Sequence, residues 1–164
     1  MILIALGANL ASSAGTPAET IAEAIEELSR RGVKTTAKSR FYVTPAWPDP
    51  SDPSFVNAVI RVETRLSPDA LMKLLHEIEA MYGRTRSAKN APRTLDLDLI
   101  DADGRVEAGP PTLPHPRVSE RAFVLIPLAD VASAWRHPLS GQTVSQLIAA
   151  LPEQARKAVR PLPD

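Results

Sequence analysis

Pro92-Arg93-Thr94-Leu95-Asp96-Leu97-Asp98-Leu99-Ile100 alternates apolar and acidic residues with the period of a β-strand. Successive side chains of a strand point to opposite faces, so Leu95, Leu97 and Leu99 share one face and Asp96 and Asp98 the other. The leucine face predicts docking on a core. The other face presents two carboxylates about 7 Å apart along the chain. Hard oxygen ligands at that separation suit one or two magnesium ions, and magnesium commonly arrives with a nucleoside triphosphate. Taken alone, the alternation fits at least as well a solvated sheet face or edge kept soluble by charge. The flanking residues decide between these readings.

Upstream, Ile2-Leu3-Ile4-Ala5-Leu6 ahead of Gly7 reads as a central strand buried on both faces. Thr16-Pro17-Ala18-Glu19 combines a capping threonine, a proline at the first helical position and a glutamate placed for a capping box. Ile21, Ala24, Ile25 and Leu28 follow at helical spacing up to Gly32. A strand over Thr36 to Thr44 is expected next, then a Pro-rich loop over 45–54 containing Trp47. The strand from Phe55 to Thr64 turns Val56, Ala58, Ile60 and Val62 to a core and Phe55, Asn57 and Val59 to the opposite face. Ser67-Pro68 opens a second helix with Leu71, Leu74, Leu75, Ile78, Met81 and Tyr82 as its buried stripe and Gly83 as its stop.

After the acidic strand, Phe123 to Val131 reads as a helix and Trp135 to Thr143 as a short hairpin around Ser140-Gly141. A last helix over Val144 to Leu151 precedes a tail expected to be loosely held. The order β-α-β-β-α-β predicts an α+β, ferredoxin-like sandwich: an antiparallel-rich sheet, helices on one side, and C-terminal helical and hairpin additions. The 164 residues are expected to form a single domain.

The nineteen Lys+Arg balance the nineteen Asp+Glu, so no global field points to nucleic acid or an anionic membrane as a partner. Cysteine is absent, which excludes a disulfide framework and thiolate metal sites. No apolar run has the length of a membrane span and no signal-peptide pattern is present, so a cytoplasmic protein is expected.

Three local constellations remain. Arg84, Arg86, Lys89 and Arg93 crowd the loop before the acidic strand, a pattern suited to polyphosphate beside its magnesium. Any one of these arginines taken singly is better read as a solvated surface charge. In Leu113-Pro114-His115-Pro116-Arg117 two prolines restrict the backbone on either side of His115, which with Arg121 can donate to phosphate. His137 and His76 lack such a frame and read as surface residues, His76 standing one turn before Glu79. Phe55 and Asn57 offer an aromatic face and an amide suited to a flat heterocycle with a hydrogen-bonding edge. A buried Phe55 under a helix is the ordinary alternative.

Together these residues resemble the 6-hydroxymethyl-7,8-dihydropterin pyrophosphokinase family of folate biosynthesis. The similarity runs through Ala5-Leu6-Gly7-Ala8-Asn9-Leu10, Phe41-Tyr42-Val43-Thr44-Pro45, Phe55-Val56-Asn57-Ala58, Ile78-Glu79, Gly83-Arg84-Thr85-Arg86, the 92–99 string, Leu113–Arg117 and Arg121–Leu128. The resemblance implies transfer of pyrophosphate from ATP to the pterin hydroxymethyl group, giving AMP and the pterin diphosphate. It implies two magnesium ions on Asp96 and Asp98, and Arg84 and Arg93 as the catalytic residues on the moving phosphates. It puts Glu79, Arg86, Leu99, Thr112, His115 and Arg121, with Arg84 and Arg93, in the ATP site. Phe55 and Phe123 would hold the pterin ring, with Asn57, Thr44 and Pro45 at its polar edge. The loops at 45–54 and 84–92 resemble lids that close over both substrates. The partners implied are ATP and the pterin only, with the enzyme a monomer.

This chain departs from the family pattern in the basic loop, where Asn90-Ala91-Pro92-Arg93 lacks the frequent tryptophan; Trp47 is the residue available for a similar cover. Phe55 stands where tyrosine is common and Ala8 where serine is. No motif is recognised beyond residue 132. An RNA-recognition module on the same fold would want a basic face and several sheet aromatics. A two-metal phosphohydrolase would bring more acidic or histidine ligands than the two found.

Overall fold

A computed structural model describes residues 1–46, 49–83 and 94–163. Trp47, Pro48 and the basic-loop residues Arg84, Arg86, Lys89 and Arg93 lie outside the described residues.

Strand β1 (Ile2–Ala8) is flanked antiparallel by β4 (Phe55–Glu63) and β5 (Asp96–Ala102). On the far side of β4 lie β2 (Lys34–Lys38) and β3 (Tyr42–Thr44), and β3 carries the short β6 (Arg160–Pro161). The order β5-β1-β4-β3-β6, with β2 also on β4, is the expected antiparallel ferredoxin-like sheet with one added edge strand.

Helices α1 (Pro17–Arg30) and α2 (Pro68–Met81) cover one face. Thr16 and Glu19 form the expected capping box, and Ser67 caps α2 through the Ala70 amide. Both sequence-read stripes pack on Ile4, Leu6, Ala58, Ile60, Leu97 and Leu99. Met81 is a correction: at 47% exposure it stands outside the stripe, beside the Arg31 guanidinium at 3.2 Å.

The opposite face is not open, which corrects the expectation of helices on one side. Helix α3 (Ala122–Val131) and the short α4 (Val144–Ala149) bury Leu3, Ala5, Val59 and Ile100 in a second core. Strict alternation along β5 fails because Ile4 pairs with Leu99 and Leu3 with Asp101. Ile100 is the extra residue of a β-bulge. The shift turns Asp101 inward, where it accepts from the Trp135 indole at 2.7 Å and from the Gly104 amide at 3.0 Å.

The strand expected over 36–44 is two strands. At the break Ser39 is buried, its hydroxyl accepts from the Val59 amide at 2.9 Å and donates to the Arg40 carbonyl at 2.7 Å. A side-chain hydroxyl thus replaces a ladder bond. The hairpin over 135–143 is reduced to one bridge, Arg136 to Thr143. His137 is buried rather than on the surface, because its Nδ1 accepts from the Leu139 and Ser140 amides at 3.2 and 3.3 Å and its ring edges Trp135. Nor is the tail loosely held. Helix α5 (Glu153–Ala158) and β6 dock it on β3, with the Leu162 amide donating to the Phe41 carbonyl at 2.8 Å. Among the described residues no helix is long and apolar enough to cross a membrane.

Candidate active site

The second helical layer stops short of one end of the sheet, and there a cavity of about 690 Å³ opens. Its floor follows from register. Gly7 on β1 pairs with Asn57 on one side and Asp96 on the other, while Ala5 pairs with Val59 and Asp98. Directly paired residues share a face, so Asp96, Gly7 and Asn57 form one row across three strands, about 10 Å wide. Gly7 has no side chain to fill the middle of that row. A Cβ there would come within 3.1 Å of Asn57 Oδ1.

Phe55, Asn57, Thr44, Pro45 and Phe123 all line this cavity, and so do Asp96, Asp98 and Arg121. Asn57 is 5% exposed, and its Nδ2 donates to Thr44 Oγ1 at 2.9 Å, which fixes the amide and leaves the second N–H for a ligand. Phe123, in the first turn of α3, is 38% exposed, and the Arg121 guanidinium lies 5.6 Å from its ring centre. Arg121 Nη1 also approaches Asp98 Oδ2 to 3.6 Å. One arginine thereby joins the aromatic and acidic ends of the cavity.

Asp96 and Asp98 are half-buried and face the cavity. Two carboxylates beside open volume fit magnesium, which keeps several waters and takes phosphate oxygens in place of a protein cage. Among the described residues no group of three or more metal-type side chains occurs.

The remaining described ATP-site candidates, Glu79, Leu99, Thr112 and His115, are not among the residues lining the cavity. His115 follows from its loop: its amide donates to the Ile100 carbonyl at 2.9 Å, and its Nδ1 accepts from the Arg117 amide at 3.1 Å. The imidazole proton is therefore assigned to Nε2, a donor. Burial, together with the nearby Arg121, pushes its pKa down to about 4, so the ring is neutral at pH 7. Glu79 is 2% exposed and its Oε2 accepts from the Leu97 amide at 2.9 Å, bracing the acidic strand from the opposite face. The Leu99 side chain belongs to the first core, and exposed Thr112 donates to the Ala108 carbonyl at 3.0 Å. Arg84, Arg86 and Arg93 lie outside the described residues.

Sequence reasoning missed several wall residues. Arg117 and Glu120 reach the cavity from the short 3-10 turn region at Val118–Glu120, and Ala155, Ala158 and Val159 reach it from the C-terminal segment. The proline-framed loop signalled the first pair; small apolar residues in a terminal helix give no comparable signal.

Comparisons with known proteins show the family and the fold. The family described as 7,8-dihydro-6-hydroxymethylpterin-pyrophosphokinase (HPPK) matches residues 3–133. The 2-amino-4-hydroxy-6-hydroxymethyldihydropteridine pyrophosphokinase of Synechocystis sp. is 38% identical over 148 residues, 89% of this chain and 73% of that protein. Its counterpart in Methylorubrum extorquens is 38% identical over 144 residues, 87% of this chain and 90% of that protein. A crystal structure of Plasmodium falciparum HPPK-DHPS shares the fold, with a TM-score of 0.64 at 13% identity over 90% of this chain and 44% of that one. The chain belongs to the 7,8-dihydro-6-hydroxymethylpterin-pyrophosphokinase family.

Proposed function

We propose that this chain transfers the pyrophosphoryl group of ATP to the hydroxymethyl oxygen of 6-hydroxymethyl-7,8-dihydropterin, a step of folate biosynthesis, with AMP leaving. The observation that carries the reading is the single cavity joining the fixed Asn57–Thr44 pair to Asp96 and Asp98 across the bare floor at Gly7. A heterocycle read at one end extends its substituent toward the acids at the other.

In this reading the pterin ring stacks between Phe55 and Phe123, and Asn57, Thr44 and the Pro45 backbone meet its polar edge. Asp96 and Asp98 would hold two magnesium ions, which would supply positive charge against the negative charge of the triphosphate oxygens. Arg121 extends from Asp98 toward the nucleotide, and the neutral His115 donates from Nε2 to phosphate. Glu79, Leu99 and Thr112 line the nucleotide side, Glu79 while accepting from the Leu97 amide, and Arg84, Arg86 and Arg93 bind the phosphates. None of the cavity's carboxylates needs to act as base, since phosphoryl transfer is catalysed mainly by positioning and charge. The enzyme is proposed to act as a cytoplasmic monomer, checked by sedimentation.

Purified protein supplied with ATP, magnesium and the pterin is expected to form AMP and pterin diphosphate, read by chromatography. ADP as product, or AMP release without pterin, contradicts the proposal.

A further inference from the structure

The cavity does not end at Asn57 and Thr44. It continues to the sheet edge, where Ala155 and Ala158 of α5 and Val159 after it line the wall. Helix α5 has no fully buried residue, and its half-buried alanines stand three apart, on one helical face. Ala155 and Val159 pack against the second core, to which α3 contributes, and the first turn of α3 carries Phe123. Beyond it, β6 pairs Pro161 with Tyr42 and Arg160 with Val43, immediately before Thr44. The segment is therefore clipped to the very strand that supplies a pterin-reading hydroxyl.

We propose that Ala155, Ala158 and Val159 form the distal wall of the heterocycle pocket and that their small size sets its depth, making the C-terminal segment a specificity determinant. The inference rests on the pterin reading given above. The wall offers no donor or acceptor side chain, so polar recognition stays with Asn57 and Thr44 while the wall limits ring length and keeps water from the flank. A longer side chain at 155 or 158 projects into the space the ring needs, and overfilling a packed site is costly.

The test is Ala158→Leu, with steady-state AMP formation measured while pterin and ATP are varied separately. The expected result is a rise of about tenfold in KM for pterin, about 1.4 kcal/mol, with KM for ATP within about twofold of the parent. Thermal unfolding establishes that the variant is folded; should it not fold, Ala158→Val carries the same test with a smaller intrusion. An unchanged pterin KM in a folded variant overturns the proposal, as does an equal rise for both substrates, which would mean general distortion. Failure of the parent enzyme to form AMP would instead strike the pterin reading itself.

Discussion

The Asn57 side-chain amide donates to the Thr44 hydroxyl at 2.9 Å, tying the first residues of β4 to the end of β3 at the cavity wall. Both groups are buried, so the bond sets which way the amide points. Thr44→Val keeps the shape but strands one Asn57 N–H, at a cost of about 1–3 kcal/mol. The expected outcome is a lower melting temperature and a raised KM for pterin, with KM for ATP little changed. Calorimetry and steady-state kinetics on the same preparation check it.

Gly7 is the floor between the heterocycle end and the acidic end. In Gly7→Ala the added methyl meets Asn57 Oδ1 at 3.1 Å, tighter than an ordinary contact, so the amide must shift. We expect KM for pterin to rise several-fold while the fold survives, since the contact lies at the cavity and not in either core. A variant with parental kinetics would show that the floor has room to spare.

Asp96→Asn and Asp98→Asn are expected to reduce turnover severely and leave stability within about 1 kcal/mol, because both acids are partly solvated and a partly solvated pair at 3.6 Å such as Asp98 with Arg121 contributes little. Turnover assays with unfolding curves make the comparison. A large loss of stability with retained turnover would assign the acids a structural role.

Burial and the Arg121 charge keep His115 neutral in the folded chain until about pH 4, against an ordinary value of 6.5. Between those values the unfolded chain binds more protons, so stability present above pH 6.5 is lost as pH falls toward 4. Metal-free protein is expected to melt at lower temperature at pH 5 than at pH 7, and His115→Gln should narrow that difference. Equal differences in the two proteins would mean that other groups carry the acid sensitivity.

Trp135→Phe removes the indole donor from buried Asp101 without emptying much volume. The expected cost is about 1–3 kcal/mol of stability, with kinetics at low temperature unchanged, since neither residue borders the cavity.

Much of this architecture was legible in the sequence because it rests on local periodicity. The capping box at Thr16–Glu19, the stripes of α1 and α2 and the alternation of β4 each follow from spacing within one element. The gathering of Phe55, Asn57, Thr44, Phe123, Asp96 and Asp98 around one cavity was implied by the family resemblance. What was not legible depended on distant partners. Ser39 breaks a strand only because Val59 is there to bond, and the bulge at Ile100 exists only against the register of β1. Tail residues Arg160 and Pro161 become a strand only because β3 has an edge to offer. His137 looked solvent-facing because the turn amides that claim its Nδ1 are set by the fold of the loop.

The row Asp96–Gly7–Asn57 lies just beyond the row where Ala5 pairs with Val59, and the second core begins there. On this face, stability and chemistry are divided lengthwise along the same three strands, one end of each being insulated and the other exposed to reagents. Substitutions should therefore sort by distance along a strand rather than by which strand they occupy. Drift near Leu3, Val59 or Ile100 will be felt as folding defects, whereas drift at Gly7, Asn57 or Asp96 will be felt as altered substrate handling in a protein that still folds.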